Sequence, residues 1–304
     1  MPELPDIELY CACLRSRLLG RTLQRVRIAS PFLVRTVTPP VASAEGREVL
    51  AVERLGKRIV LGLSGDLYLV LHLMIAGRLR WRPPGETTTR RLALAAFDVD
   101  TGSLVLTEAG STRRASLHVC EGRSALRALD RGGLEVIGST LRAFAEALRR
   151  ENHTLKRTLT DPRLFSGIGN SYSDEILHEA RLSPLALSQR LGEEDVSRLH
   201  EAAQHVLKGW TERLIAETGD GWPEKVTAFR DEMVAHGRFG QPCPRCGSLI
   251  QRIVYAEHEA DYCPGCQTGG RLLADRALSR LLREDWPRTV EALENGKALR
   301  RGVR

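Results

Sequence analysis

Apolar residues at Ile7, Cys11, Leu14 and Leu18 recur at helical spacing, with Pro5 where a first turn tolerates it; they predict a helix over Pro5–Leu19. From Leu23 to about Cys120 the period shortens. Arg58–Leu63, Leu67–Leu73, Leu92–Asp98 and Ser103–Thr107 read as short strands punctuated by Gly and Pro, the pattern of a β-sandwich or barrel. After a loop signal at Asp130-Arg131-Gly132-Gly133 the pattern turns helical, with one stripe at Leu141, Phe144, Ala145 and Leu148. A second, longer one runs through Val196, Leu199, Ala203, Val206, Trp210 and Leu214. A Cys/Gly/Pro-rich stretch from Gly237 to Gly247 follows, then a charged amphipathic tail, Arg271 to about Glu294, read as a packed helix anchored by Trp286.

The expected fold class is therefore α+β. An N-terminal helix plus β-sandwich domain spans 1–125, a helical domain 134–237, a cysteine-bearing hairpin 238–267 and a helical extension 268–304. At 304 residues and 42% apolar content the chain can supply cores for two domains. It has no stretch of roughly 20 uninterrupted apolar residues and no basic-then-apolar leader, which argues against a membrane span or signal peptide and for a cytosolic or nucleoid location. A formal charge of +7 and a pI near 9.2, with Arg far commoner than Lys, suit a phosphate-bearing partner without establishing one.

Of seven cysteines, four form two tight pairs, Cys243-Pro-Arg-Cys246 and Cys263-Pro-Gly-Cys266, sixteen residues apart. The pattern C-x2-C-x16-C-x2-C closes a tetrahedral thiolate site for one Zn2+, and Ser248–Tyr255 between the pairs has the alternation of a hairpin. Four thiolates leave no position for water or substrate, so the metal is expected to be structural. Unmetallated or redox-active thiol pairs are the alternative. Cys11 lies on the first helical stripe and reads as a small core hydrophobe, as lone cysteines commonly do; Cys13 and Cys120 are likewise unpaired in the sequence.

Removal of Met1 would leave the secondary amine of Pro2 at the chain end. An α-amino group has a reference pKa near 8, so a useful fraction is free to attack a sugar C1′, with Glu3 beside it as a general acid. Taken alone, Pro2-Glu3 reads first as a helix-entry proline with a dipole-matching carboxylate. In company with other motifs it resembles the formamidopyrimidine-DNA glycosylase and endonuclease VIII family. Four features stand in the family's order across residues 1 to 267: Pro2-Glu3-Leu4-Pro5 with Glu8, Gly56-Lys57-Arg58 before a strand, Gly167-Ile168-Gly169-Asn170 between helical stretches, and the four-cysteine finger. The resemblance implies Pro2 as Schiff-base nucleophile, Glu3 as the acid assisting ring opening, and Lys57 as a cation near the reacting sugar and its phosphate. It also implies a helix–two-turn–helix motif in the helical domain with Asn170 gripping phosphate; Lys156 and Arg157 nearby favour the same reading, a solvated charged face being the alternative. The bland readings are a solvated Lys57 and an ordinary Gly turn.

Departures from the family pattern bear on the substrate. His72-Leu73-Met74-Ile75-Ala76-Gly77 resembles the wedge loop that fills the gap left by an extruded nucleotide; Met74 or Ile75 could insert, with a core position as the alternative for either. The second wedge segment corresponds to Arg113-Arg114-Ala115-Ser116, where alanine cannot stack between bases, although Arg113 or Arg114 could still face the opposite strand. His258, among three carboxylates, stands where relatives commonly carry a phosphate-gripping Arg. A short segment, Thr218–Glu224, replaces the longer loop that covers an oxidised purine. The expectation is a monomeric, bifunctional DNA glycosylase and apurinic/apyrimidinic lyase of base excision repair acting on damaged double-stranded DNA, with single-stranded or bubble DNA as further substrates. A non-catalytic, structure-specific DNA-binding protein on the same fold is its rival.

Overall fold

A computed structural model describes residues 1–86, 92–109, 112–227, 229–255, 258–274 and 288–292, without the side chains of Tyr255 and His258. The chain divides into two compact units, residues 1–133 with 207–228, and residues 134–206 with 229–304. By contacts, residues 207–228, which the sequence-based division put in the helical domain, group with the first unit.

The first unit opens with α1 (Leu4–Leu18), followed by β1 (Thr22–Leu23), β2 (Arg25–Ile28), β3 (Arg47–Leu55), β4 (Arg58–Leu63), β5 (Leu67–His72), β6 (Gly77–Arg82), β7 (Ala93–Val99), β8 (Gly102–Glu108) and β9 (Ser116–Glu121), then the short α2 (Gly122–Arg127). These strands form two antiparallel sheets, ordered β1-β3-β4-β5-β9 and β2-β7-β8-β6. The near-continuous apolar runs of β4 and β5 follow from burial on both faces. Ile59, Leu61, Leu69 and Leu71 enter the main core with Tyr10, Leu14, Phe97 and Leu106, while Val60, Val70 and Tyr68 meet Cys120 and Leu126 on the other face. The predicted stripe Ile7, Cys11, Leu14 and Leu18 is the buried face of α1. A second stripe on α1, Leu9 and Cys13, packs against Leu214, Trp210 and Trp222. Cys11, Cys13 and Cys120 are all buried free thiols, and burial pushes Cys11 up to about 12, so these are packing residues.

The second unit contains α3 (Leu141–Arg149), α4 (Leu155–Thr160), α5 (Asn170–Glu179), the first half of α6 (Glu193–Thr218), β10 (Gln251–Tyr255), β11 (His258–Tyr262) and α7 (Pro264–Thr268). The Thr140 side chain caps α3 by accepting from Ala143 N–H at 3.2 Å. Phe144, Leu148, Leu159, Phe165, Ile176 and Leu199 are buried, with the Phe144 and Phe165 rings 4.9 Å apart. β10 and β11 pair antiparallel as the predicted hairpin. Most of the predicted C-terminal helix, with Trp286, lies outside the described residues. The described part shows Arg271 bridged to Thr289 and Leu272 N–H donating to the Arg288 carbonyl.

Candidate active site and metal centre

The N-terminus is fixed by the first turn of α1. Glu3 is the N-cap and forms a capping box with Asp6, its backbone N–H donating to Asp6 Oδ2 at 2.9 Å. Pro2 and Glu3 are buried, Glu3 only 3% exposed, so this end is held rather than frayed. Glu8 has a different task, joining α1 to β3 through Arg54 at 2.8 Å. Lys57 is half-buried in the two-residue turn between β3 and β4, where Gly56 takes a positive φ of 61° and the hairpin presents the ammonium at its tip. Burial lowers the pKa of the Met1 amine; Glu3 and Asp6 oppose this, and Arg78 and Lys57 reinforce it. The structure thus brings Glu3 and Lys57 together around the chain end and adds Asp6 and Arg78. Asp6 was legible as the capping-box partner of Glu3; Arg78, on β6, carried no sequence signal.

Beside Lys57, the β4–β5 register sets Arg58 opposite His72. Burial, then Arg58, Lys57 and His118, push the His72 imidazole down to about 4, so this neutral ring sits among cations. The wedge loop follows at once. It closes through Gly77 N–H donating to the Leu73 carbonyl at 2.9 Å, and a Cβ at Gly77 would stand 2.2 Å from that carbonyl, so only glycine fits. Met74 adopts φ 53° and is half-buried, while Ile75 is 59% exposed; neither joins the described core. Arg113 and Arg114 are exposed. Ala115 is 3% exposed and belongs to the core, and the buried Glu108 carboxylate accepts the backbone N–H groups of Arg114 and Ala115 at 3.0 to 3.1 Å.

The segment after α6 is strapped to the β-rich unit. Trp222 Nε1 donates to the Leu79 carbonyl at 3.0 Å, and Arg17 donates to the Asp220 and Gly221 carbonyls while lying over the Trp222 ring. Glu224 pairs with Arg80 and Arg82, and Val226 enters the core.

In the second unit Gly167-Ile168-Gly169 leads into α5, with Gly169 as N-cap and Asn170 half-buried at the first helical position. Lys156 was expected at phosphate, and the structure corrects this: it is 2% exposed, its Nζ donating to the Asn170 carbonyl and to Asp174 Oδ1, both at 2.6 Å. Asp174 also accepts from His236 Nδ1 at 2.9 Å, Glu175 accepts three backbone N–H groups from Val234 to His236, and Asp261 binds Gly237 N–H and Arg252. This network absorbs the Lys156 charge in the interior. Two members, Asp174 and Asp261, approach His236 as a metal-like trio, but Lys156 and Arg252 already supply their countercharge.

The four cysteines converge between the knuckle after Pro242 and the start of α7. Cys246 and Cys263 sulfurs lie 3.3 Å apart, and those of Cys243 and Cys266 3.9 Å. Thiolates on a tetrahedral zinc at ~2.3 Å stand about 3.8 Å from one another, so the donor set fits one Zn2+. His178 on α5 brings Nε2 to 3.2 Å from Cys243 Sγ; burial, then Arg245, lower its pKa to about 4, leaving a neutral ring. Nothing in the sequence marked His178. His258 opens β11 by its backbone pairing with Tyr255, and its side chain lies outside the described residues.

The chain matches three family models in order: the formamidopyrimidine-DNA glycosylase N-terminal domain over residues 1–114, the H2TH domain of the same enzymes over 137–215, and a zinc finger found in them and in isoleucyl-tRNA synthetase over 240–269. It is 34% identical over 279 residues to a formamidopyrimidine-DNA glycosylase of Chloroflexus aurantiacus, covering 88% of this chain and 98% of that protein. A crystal structure of the Thermus thermophilus enzyme superposes with a TM-score of 0.73 at 32% identity, over 88% of this chain and 98% of that one. A Lactococcus lactis protein solved with Fapy-dG-containing DNA shares the fold at a TM-score of 0.77 and 22% identity, over 88% and 100%. A shorter Mycobacterium tuberculosis protein described as formamidopyrimidine-DNA glycosylase-like is 40% identical over 157 residues, 52% of this chain and 96% of that one.

Proposed function

The chain belongs to the formamidopyrimidine-DNA glycosylase family, and from that premise we propose that Pro2, freed by removal of Met1, is its nucleophile, with Glu3 and Lys57 assisting. It is a DNA glycosylase of base excision repair with apurinic/apyrimidinic lyase activity and one structural zinc. The Pro2 nitrogen attacks C1′ of the damaged nucleotide; the electrons of the C1′–base bond leave with the base, which takes up the proton released from the Pro2 nitrogen. Glu3 gives a proton to the ring oxygen, opening the sugar to an iminium in which C1′ is doubly bonded to the Pro2 nitrogen. Loss of a C2′ proton then expels the 3′ phosphate, and δ-elimination the 5′ phosphate. The observation that supports this most is the set of charges at the chain end. Burial, Arg78 and Lys57 lower the pKa of the Met1 amine, and an amine freed at Pro2, one residue on, would meet the same cations, with the buried Glu3 next to it in the chain.

The partner is damaged double-stranded DNA. The cations Lys57 and Arg58, with the neutral His72 ring beside them, suit a phosphate of the lesion strand, Ile75 and Met74 suit the vacated space, and Arg113 and Arg114 suit the opposite strand. Asn170, at the N-terminus of α5, suits a second phosphate, and His258 a third. Ala115 in the core removes stacking from the second wedge segment, and the strapped Trp222 segment supports no large cover for a base. No described helix is long and apolar enough to cross a membrane, and the proposed place of action is the cytoplasmic nucleoid.

Borohydride trapping on duplex DNA with an abasic site tests the chemistry. The mature protein should form a covalent adduct, and a form extended by residues ahead of Pro2 should form none. Absence of an adduct with mature protein that still binds this DNA would return the chain to the non-catalytic reading, which the buried Ala115 favours.

A further inference from the structure

The metal centre has a neighbour that is not part of the finger. His178 belongs to α5, the helix that starts at the phosphate loop, and its Nε2 stands 3.2 Å from Cys243 Sγ. The other ring nitrogen, Nδ1, is buried and has no hydrogen-bond partner among the described residues. An imidazole carries a proton on at least one of its two ring nitrogens. Burying an unpartnered N–H is costly, so the proton belongs on Nε2, where it can be donated to sulfur. A ring needed only for packing would have left no polar atom stranded. The sulfur contact is what accounts for a histidine at this buried position.

Four thiolates on one divalent cation carry a net charge of −2, and N–H donors to the sulfurs disperse it. The same knuckle grips the end of α5 elsewhere: Arg245, between Cys243 and Cys246, donates to the His178 carbonyl at 2.9 Å and pairs with Glu179. Gln267, on α7, donates to the Leu182 carbonyl at 2.9 Å and accepts from Cys263 N–H. We propose that His178 is a positioning residue of the zinc centre, its Nε2–H donating to the Cys243 thiolate, so that the helix presenting Asn170 holds part of the finger's metal affinity. This rests on the four-cysteine zinc reading and is independent of the Pro2 chemistry.

The test uses the full chain as wild type, His178→Phe and His178→Gln, with glutamine able to return an N–H near the Nε2 position. Zinc content is measured first, then transfer of zinc to a chromophoric chelator, with amide exchange of residues 170–179 before and after zinc removal. His178→Phe should hold zinc about 10- to 100-fold more weakly. His178→Gln should recover most of that loss, and zinc removal should deprotect α5 in wild type more than in His178→Phe. Equal affinity in all three proteins overturns the assignment, even if His178→Phe is less stable. So does a cobalt-substituted wild type whose thiolate charge-transfer intensity corresponds to three sulfurs and one nitrogen, for His178 would then be a ligand in place of Cys246. Wild type without zinc overturns both this inference and the metal centre.

Discussion

Ile75 shows how one exposed apolar side chain acquires meaning from its backbone. The loop from Leu73 to Gly77 is closed by a backbone hydrogen bond that only glycine permits, so Ile75 is presented from a fixed turn. At 59% exposure it contributes little to the core, and Ile75→Ala should change stability by no more than about 0.5 kcal/mol. If it fills the gap left by an extruded nucleotide, the same substitution forfeits part of an unstacking energy of a few kcal/mol, and base excision should slow by about tenfold or more. Single-turnover excision measured beside urea unfolding checks this; equal excision rates would assign the wedge to Met74. The sequence narrowed the wedge to two residues but could not choose between them, because solvent exposure at a positive-φ turn is invisible in a hydrophobic pattern. Ala115 is the converse case. Its small side chain spoke against stacking, and its burial behind the Glu108 carboxylate could not be anticipated from a run beginning Arg-Arg.

At the scale of elements, sequence reading succeeded where periodicity carries the information. α1, β4 and α3 lie within a residue or two of where hydrophobic spacing placed them, and the finger hairpin falls between the cysteine pairs as expected, although its second strand, His258–Tyr262, lies beyond the Ser248–Tyr255 run that signalled it. It failed at the junction of α4 and α5. Lys156-Arg157 reads as a basic face, yet Lys156 is drawn inward by Asp174, eighteen residues later, and by the carbonyl of Asn170. Only tertiary structure brings those groups together. Lys156→Met leaves Asp174 with His236 alone in a buried site and should destabilise the protein by about 3–5 kcal/mol, read as a lowered urea midpoint. The salt slope of DNA binding by the folded variant should stay unchanged. A slope reduced by about 0.9 with an unchanged midpoint would restore the direct phosphate contact.

For the molecule as a whole, the same buried network makes stability depend on pH. Burial lowers the pKa of His236, but the hydrogen bond and charge of Asp174, aided by Asp261 and opposed by Lys156, win and raise it above 6.5. A raised folded-state value favours the protonated form. The contribution of His236 is therefore fully present below about pH 6.5 and is lost as pH rises through the raised folded value. The difference in unfolding free energy between wild type and His236→Gln should shrink as pH rises from about 6 through the raised folded-state value. A difference that grew over this range would reverse the assigned sign.

The strap at Trp222 gives the protein an optical reporter. Its indole lies 5.9 Å from Tyr10 and 6.1 Å from Trp81, and its N–H is held by Leu79 on the strand that leaves the wedge loop. Indole emission responds to the loss of such a hydrogen bond and to the movement of neighbouring rings. Displacement of β6 as a nucleotide leaves the helix would therefore change the intrinsic fluorescence of an unlabelled protein, and Trp222→Phe would identify the source, so that base extrusion could be timed separately from the chemistry that follows.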